Sequence, residues 1–143
     1  MSLKMDAPAL NTFLGQVFEQ VADGFLVEDV TEDGTLRVRL RVGDKHLRPG
    51  GTVSGPSIFS IADVGAYLIT LSRIGPKALA VTTNCSIDFM RKPVANRDLI
   101  AEVHLLKLGK QLSVSDVMIR SDGDPAIVAR ATLTYALPPA KMG

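Results

Sequence analysis

The fold is decided by the stretch from Arg48 to Gly75, which reads RPGGTVSGPSIFSIADVGAYLITLSRIG. A glycine-rich loop runs there into a segment whose apolar residues recur at helical spacing. The opposite side of that helix is apolar as well, with Phe59 and Val64 among its residues. A helix that is apolar nearly all round is buried inside a protein. We expect it to be too short and too interrupted to span a membrane, so the stretch predicts a central core helix.

The limits of this helix are marked by capping signals. The tripeptide Ser54-Gly55-Pro56 precedes the apolar run, and proline is tolerated at the first helical position because its missing N–H has no helical partner there. A residue before proline is disfavoured in the helical region, so we place Gly55 at the N-cap. Gly75-Pro76 ends the helix. The predicted central helix therefore covers residues 55–74.

Asp63 is the only formal charge between Ile58 and Ile69. It lies about two turns into the helix, beyond the first turn in which the helix dipole stabilises an acid. Burial of a carboxylate among apolar side chains costs free energy unless a partner satisfies it. Asp63 is therefore the first candidate for a functional residue. The structural alternative is a carboxylate on a narrow solvent-facing strip or one paired with Arg48.

The rest of the chain predicts one α+β domain covering residues 1–143. Residues 1–22 form an N-terminal arm with a helix from Pro8 to Ala22, and alternating segments predict six strands. A slip in the alternation near Ser115-Asp116 indicates a bulge. An antiparallel sheet curled around the one long helix follows from this order of elements. The predicted strands are Phe25–Val30, Thr35–Val42, Ala78–Met90, Leu99–Leu108, Gln111–Arg120 and Ala126–Leu137.

The predicted strand Ala78–Met90 is the best candidate for an open edge, at which two copies would pair into at least a homodimer. Its alternation places Cys85 on the core side and Thr82 and Asn84 on the opposite side. A buried thiol there is inert more often than nucleophilic. A lone cysteine cannot form an internal disulfide, which together with the lack of a signal-peptide pattern predicts a cytoplasmic protein.

Composition and motifs exclude several classes of function. The 16 basic and 15 acidic residues nearly balance, which argues against a nucleic-acid binder. His46 and His104 lack metal-ligand spacing, so no metal site is predicted. No phosphate loop or nucleophile elbow is present. A helix N-terminus that can bind an oxyanion and one carboxylate remain, and together they suit hydrolysis of an activated acyl compound.

These residues resemble a known family. The pattern Gly51-x-x-Ser54-Gly55-Pro56-x-x-Phe59-x-Ile61-Ala62-Asp63 is similar to the helix signature of hotdog-fold acyl-CoA thioesterases of the phenylacetate-pathway type. Three later segments resemble the strand motifs of that family in matching order. The resemblance covers roughly residues 44–138 and implies a hotdog fold. The three later segments are Ala80-Val81-Thr82-Thr83, Phe89-Met90-Arg91-Lys92-Pro93 and Leu108-Gly109-Lys110.

The resemblance implies an acyl-CoA thioesterase without a cofactor, in which CoA is part of the substrate. The Gly55 N–H would hold the thioester oxygen, and Asp63 of a second subunit would act as base or nucleophile. The active site would therefore lie between subunits of a homodimer or homotetramer. Arg48 and Ser54 stand where the family usually has Asn and His, and His46 precedes them in the same loop. We count these three as supporting residues.

The same resemblance makes Arg91, Lys92 and Lys110 candidates for contacts with CoA phosphates, with an ordinary solvated cation as the alternative for each. Tyr67 could line a pocket for an aromatic or medium acyl chain, although core packing explains it equally well. Asn84 is counted as a further substrate-binding residue. Two alternatives to an enzyme remain open. The chain could bind acyl-CoA or an acyl chain without catalysis, with Arg48 neutralising Asp63, or it could be a structural oligomer whose Asp63 is merely exposed. No nucleic acid and no membrane are expected as partners.

Overall fold

The computed structural model describes residues 3–17, 19–77 and 79–139. The predicted N-terminal helix is present as α1 (Ala7–Val17) and α2 (Glu19–Ala22), with residue 18 outside the described residues. A 3₁₀ turn at Asp44–His46 precedes the long helix α3 (Gly55–Ile74). The six strands are β1 (Phe25–Val30), β2 (Thr35–Leu40), β3 (Val81–Phe89), β4 (Leu99–Leu108), β5 (Leu112–Ser121) and β6 (Ile127–Ala136).

The six strands form one antiparallel sheet in the order β1-β2-β4-β5-β6-β3. Helix α3 lies against its inner face and contacts every strand. The inward side chains of the sheet and almost the whole of α3 form one apolar core. The predicted α+β fold, an antiparallel sheet wrapped around one long central helix, is confirmed.

Two local predictions need correction. The N-cap of α3 is Ser54, whose Oγ accepts a hydrogen bond from the Ser57 N–H at 3.3 Å, and Gly55 is the first helical residue. The hydroxyl side chain is the better cap because it satisfies an N–H that has no partner in the helix. The bulge predicted near Ser115 is present at that level of the sheet, but its extra residue is in β4, between Leu105 and Lys107, opposite Ser115 and Val114. The alternation of β5 itself is unbroken, with the small polar side chains of Ser113 and Ser115 on its inward face.

Burial, and not length, identifies α3 as a core helix. By length and composition the segment Gly55–Ile74 would suffice to cross a membrane, so our expectation that it is too short was wrong. Most of the helix is instead enclosed by the sheet. The sequence could not show this enclosure directly, because a core helix and a membrane span share one apolar composition.

Helix α3 approaches the sheet closely at Gly65. A Cβ added at Gly65 would lie 2.8 Å from Cγ2 of Val103 on β4, closer than side chains tolerate. The absence of a side chain therefore lets α3 pack directly on the central strands. The depth and rotation of the helix are fixed at this point, two residues after Asp63.

The two edges of the sheet differ. Along β1, Asn11 of α1 accepts a hydrogen bond from the Val27 N–H at 2.8 Å and donates one to the Val27 carbonyl at 3.0 Å. Along β3, most residues are exposed, including Val81 and Phe89, whose exposed fractions are 56% and 55%. The expected open edge in Ala78–Met90 is therefore present at β3, although residue 78 is not among the described residues.

Candidate active site

Asp63 lies in the middle of α3, and its carboxylate is held by hydroxyl groups from two strands. Its Oδ1 accepts hydrogen bonds from Thr82 Oγ1 at 2.6 Å and from the Tyr135 hydroxyl at 2.7 Å. Its Oδ2 accepts none from the described residues. Such a carboxylate is fixed in orientation while one oxygen stays available to another molecule.

A bulge in β3 directs Thr82 towards the helix. The pairing of β3 with β6 shifts between Thr82 and Asn84, so Thr83 is an extra residue in the ladder. A bulge of this kind reverses the alternation of side chains. Thr82 and Cys85 consequently share the helix side, and the predicted placement of Thr82 on the opposite side was wrong.

Two tyrosines form an aromatic wall beside Asp63. The rings of Tyr67 on α3 and Tyr135 on β6 are 5.9 Å apart between centroids and tilted by 36°. Burial raises the pKa of Tyr67 to about 12 and raises the pKa of Tyr135 further. Both phenols therefore stay protonated at neutral pH.

Asp63 opens onto a cavity of about 250 Å³. The lining is mostly apolar, with the carboxylate, the Thr82 hydroxyl and the tyrosines as its polar groups. The N-terminal helix closes one side through Leu14. An apolar cavity with a few convergent polar groups is typical of a small-molecule site. The lining residues are Leu14, Asp63, Val64, Tyr67, Ala80, Val81, Thr82 and Tyr135.

A second pocket, of about 350 Å³, lies at the start of α3. It contains Gly55, the first helical residue, whose N–H has no acceptor within the helix. Three exposed cationic side chains, Arg48, Arg91 and Lys92, line the same pocket. A helix N-terminus surrounded by cations attracts an anionic ligand.

The two pockets are separate within one chain. Gly55 and Asp63 are about 12 Å apart along the helix axis, since an α-helix rises about 1.5 Å per residue. Arg48 lines the Gly55 pocket and forms no ion pair with Asp63 in the described structure. The pairing that would have neutralised Asp63 is absent from the described protomer.

The other predicted site residues lie outside both pockets. Ser54 caps α3, and Nδ1 of His46 accepts the Gly43 N–H at 2.8 Å, which closes the 3₁₀ turn. Asn84 is an exposed residue of β3. Lys110 lies at the opposite end of α3 from Arg91, in a groove with Ile74. The structure thus brings Tyr67 to Asp63, and Arg48, Arg91 and Lys92 to Gly55.

Sequence reasoning missed Thr82 and Tyr135 as neighbours of Asp63. Both are hydroxyl residues of strands far from Asp63 in sequence, and only the register of β3 against β6 brings them together as a directly opposed pair. The alternation of β6 gave one usable signal, because it places Tyr135 on the inward face. Within the described ranges, no group of His, Cys, Asp and Glu residues could hold a metal ion.

Comparison with known proteins gives the class. The profile of the thioesterase superfamily matches residues 50–128. The crystal structure of a proposed thioesterase from Silicibacter sp. TM1040 is 49% identical, with a TM-score of 0.91, over 97% of this chain and 96% of its own. An acetyl-CoA-bound protein from Streptococcus mutans UA159 is 26% identical, with a TM-score of 0.69, over 80% and 89%. A mutant of the phenylacetic acid degradation protein PaaI from Thermus thermophilus is 24% identical, with a TM-score of 0.69, over 89% and 99%.

The chain belongs to the thioesterase superfamily and has its hotdog fold. The resemblance read from the Gly51–Asp63 pattern is thereby confirmed, with PaaI among the structural neighbours. Membership places the protein in a class of hydrolases.

Proposed function

We propose that the protein is an acyl-CoA thioesterase, which hydrolyses a thioester to a free acid and CoA. The observation that carries the proposal is the Asp63 carboxylate, held by Thr82 and Tyr135 at the mouth of a mostly apolar cavity. A carboxylate in that setting either removes a proton from water or attacks the thioester carbon itself. The apolar cavity receives the acyl group, with Tyr67 against it.

The reaction also requires a hydrogen-bond donor that stabilises the negative charge on the thioester oxygen. The N–H of Gly55 fills this role, because it is unpaired in the helix and lies at the positive end of the α3 dipole. With Asp63 as base, water adds to the carbonyl carbon and negative charge moves to the oxygen at Gly55. The C–S bond then breaks, and the sulfur leaves as the CoA thiol after it takes up the proton.

We further propose that two subunits build each active site. The Asp63 and Gly55 pockets of one chain are about 12 Å apart, which is too far for one thioester carbonyl to reach both. The exposed edge of β3 lies between Val81 in the Asp63 pocket and Phe89 in the Gly55 pocket. Antiparallel pairing of two such edges would set one pocket of each kind side by side. The dimer is therefore the minimum active unit, and a tetramer would contain two such dimers.

The cationic pocket suits the CoA part of the substrate. Arg48, Arg91 and Lys92 line it together with the Gly55 helix start, and phosphate groups bind at such sites. The acetyl CoA bound to the Streptococcus mutans relative supports this choice of substrate. Lys110 and Asn84 do not line the cationic pocket of their own chain. A contact with substrate at either residue would require a pocket contributed by the partner subunit. We propose the reducing cytoplasm as the location, in keeping with the single free thiol of Cys85.

The test is hydrolysis of a panel of acyl-CoA esters by wild type and by the Asp63→Asn variant. The substitution keeps the size of the side chain but removes its basicity, so we expect kcat to fall by at least about 10³-fold. Asp29→Asn is the matched control, since Asp29 is an exposed carboxylate on β1, at the opposite edge of the sheet from β3. Its kcat should stay within about twofold of wild type.

Two outcomes would contradict the proposal. Equal turnover by Asp63→Asn and wild type would remove Asp63 from the chemistry. Thermal stabilisation by acyl-CoA esters without turnover of any of them would show a binding protein without catalysis.

A further inference from the structure

The Tyr135 hydroxyl contacts Asp63 at two points. It lies 2.7 Å from Oδ1 and 3.0 Å from the main-chain carbonyl oxygen of the same residue. Its single proton is therefore shared between the side chain and the backbone of Asp63. This bridge ties the carboxylate to its own helix and restricts rotation about both side-chain torsions.

The tyrosine itself is rigidly held. Its exposed fraction is 4%, its ring packs against Tyr67, and its main chain is paired on both sides, with Thr82 of β3 and Ser113 of β5. Side chains fixed by packing on paired strands position a reacting group more accurately than those on loops. Burial also raises the pKa of the Tyr135 phenol, which keeps it a hydrogen-bond donor throughout the range in which a thioesterase is assayed.

We propose that Tyr135 is the positioning residue of this active site, which orients the Asp63 carboxylate so that Oδ2 alone faces the reacting water or thioester. The inference rests on the proposed thioesterase function.

The experiment compares the wild type with Tyr135→Phe, which keeps the ring and removes the hydroxyl. We expect kcat to fall by about 10- to 100-fold with KM changed less than about threefold, since a hydrogen bond to a charged group is lost without loss of a substrate contact. Thr132→Val is the matched control, because it removes an exposed hydroxyl from the outer face of the same strand.

A second variant keeps the proposal testable if Tyr135→Phe does not fold. Fluorotyrosine incorporated at position 135 makes the phenol a stronger donor with little change of shape, so kcat should depart from the wild-type value while KM stays within about threefold. A kcat that stays unchanged in both variants, beside an inactive Asp63→Asn, would overturn the role of Tyr135 alone. Full activity of Asp63→Asn would instead overturn the proposed function itself.

Discussion

The two edge strands of the sheet differ in whether their outer backbone groups are covered: those of β1 are, and those of β3 are not. An edge strand presents unpaired N–H and C=O groups that can join another chain. At β1 the side-chain amide of Asn11 occupies this row, and it pairs with both the N–H and the carbonyl of Val27 as a further strand would. At β3 no described helix or strand covers the outer side, and Val81 and Phe89 are exposed.

This difference shows which edge is open to association. The β1 edge is protected twice, because Glu28 forms a bulge between Val27 and Asp29 and its carboxylate accepts bonds from Arg37 and Arg39 of β2. A bulge and charged side chains are devices that prevent edge pairing. The β3 edge lies between the two halves of the proposed active site, so pairing there would complete that site.

The largest effect is expected from breaking the open edge with Val81→Lys. A dimer formed through β3 would have to bury two extra charges. Its dissociation constant should therefore rise by about 10²-fold or more. Molecular mass by sedimentation is the measurement, since Val81 also lines the Asp63 pocket and activity alone would be ambiguous. Leu112→Lys, at an exposed leucine of β5, is the control and should leave the mass unchanged. A Val81→Lys protein as dimeric as the wild type would show that subunits associate elsewhere.

A smaller effect is expected from opening the closed edge with Asn11→Ala. The Val27 N–H and carbonyl would both lose their partner, which should lower the free energy of unfolding by about 2 kcal/mol. Denaturant unfolding measures this change. The exposed neighbour Thr12 provides the control, and Thr12→Ala should change stability by less than about 0.5 kcal/mol. Equal stability of the two variants would mean that the amide does not act as a covering strand.

The smallest effect is expected at the bulge of β1. Glu28→Gln removes the charge and keeps one oxygen acceptor, so only one of Arg37 and Arg39 retains its hydrogen bond. Partly exposed ion pairs nevertheless contribute little. The loss should be below about 1 kcal/mol and should shrink as salt concentration rises. Asp29→Asn, which removes a neighbouring exposed charge, is the comparison. A large loss that is independent of salt would instead assign the bulge a structural role in the core.

The sequence was sufficient for the architecture because apolar periodicity is a local property. The apolar run in α3 and the strict alternation in β2 match the observed burial, and the strands lie close to where the alternation predicts them. Asp63 could be singled out for the same reason, as one charge within an apolar segment.

The surroundings of Asp63 could not be predicted, because they depend on non-local register. The extra residue Thr83 reverses the face of Thr82, and no turn residue or composition change marks that bulge in the sequence. Tyr135 reaches Asp63 because the inward face of β6 packs on α3, and Thr82 joins them because β3, distant along the chain, pairs with β6. For Arg48 the prediction failed in the opposite way. Arg48 is near Asp63 in sequence and was considered as its partner, but the two residues are separated along the axis of α3.

The tight contact at Gly65 has a consequence for attempts to change which acyl group is accepted. Any side chain there would push α3 away from Val103 and displace Asp63 along with it, so redesign of the cavity from the helix side would disturb the acid it is meant to serve. Leu14 offers a safer position, because it borders the same cavity from α1 and is not part of the helix that carries the carboxylate. Variants designed to accept acyl groups of other lengths should therefore be made first in the N-terminal helix.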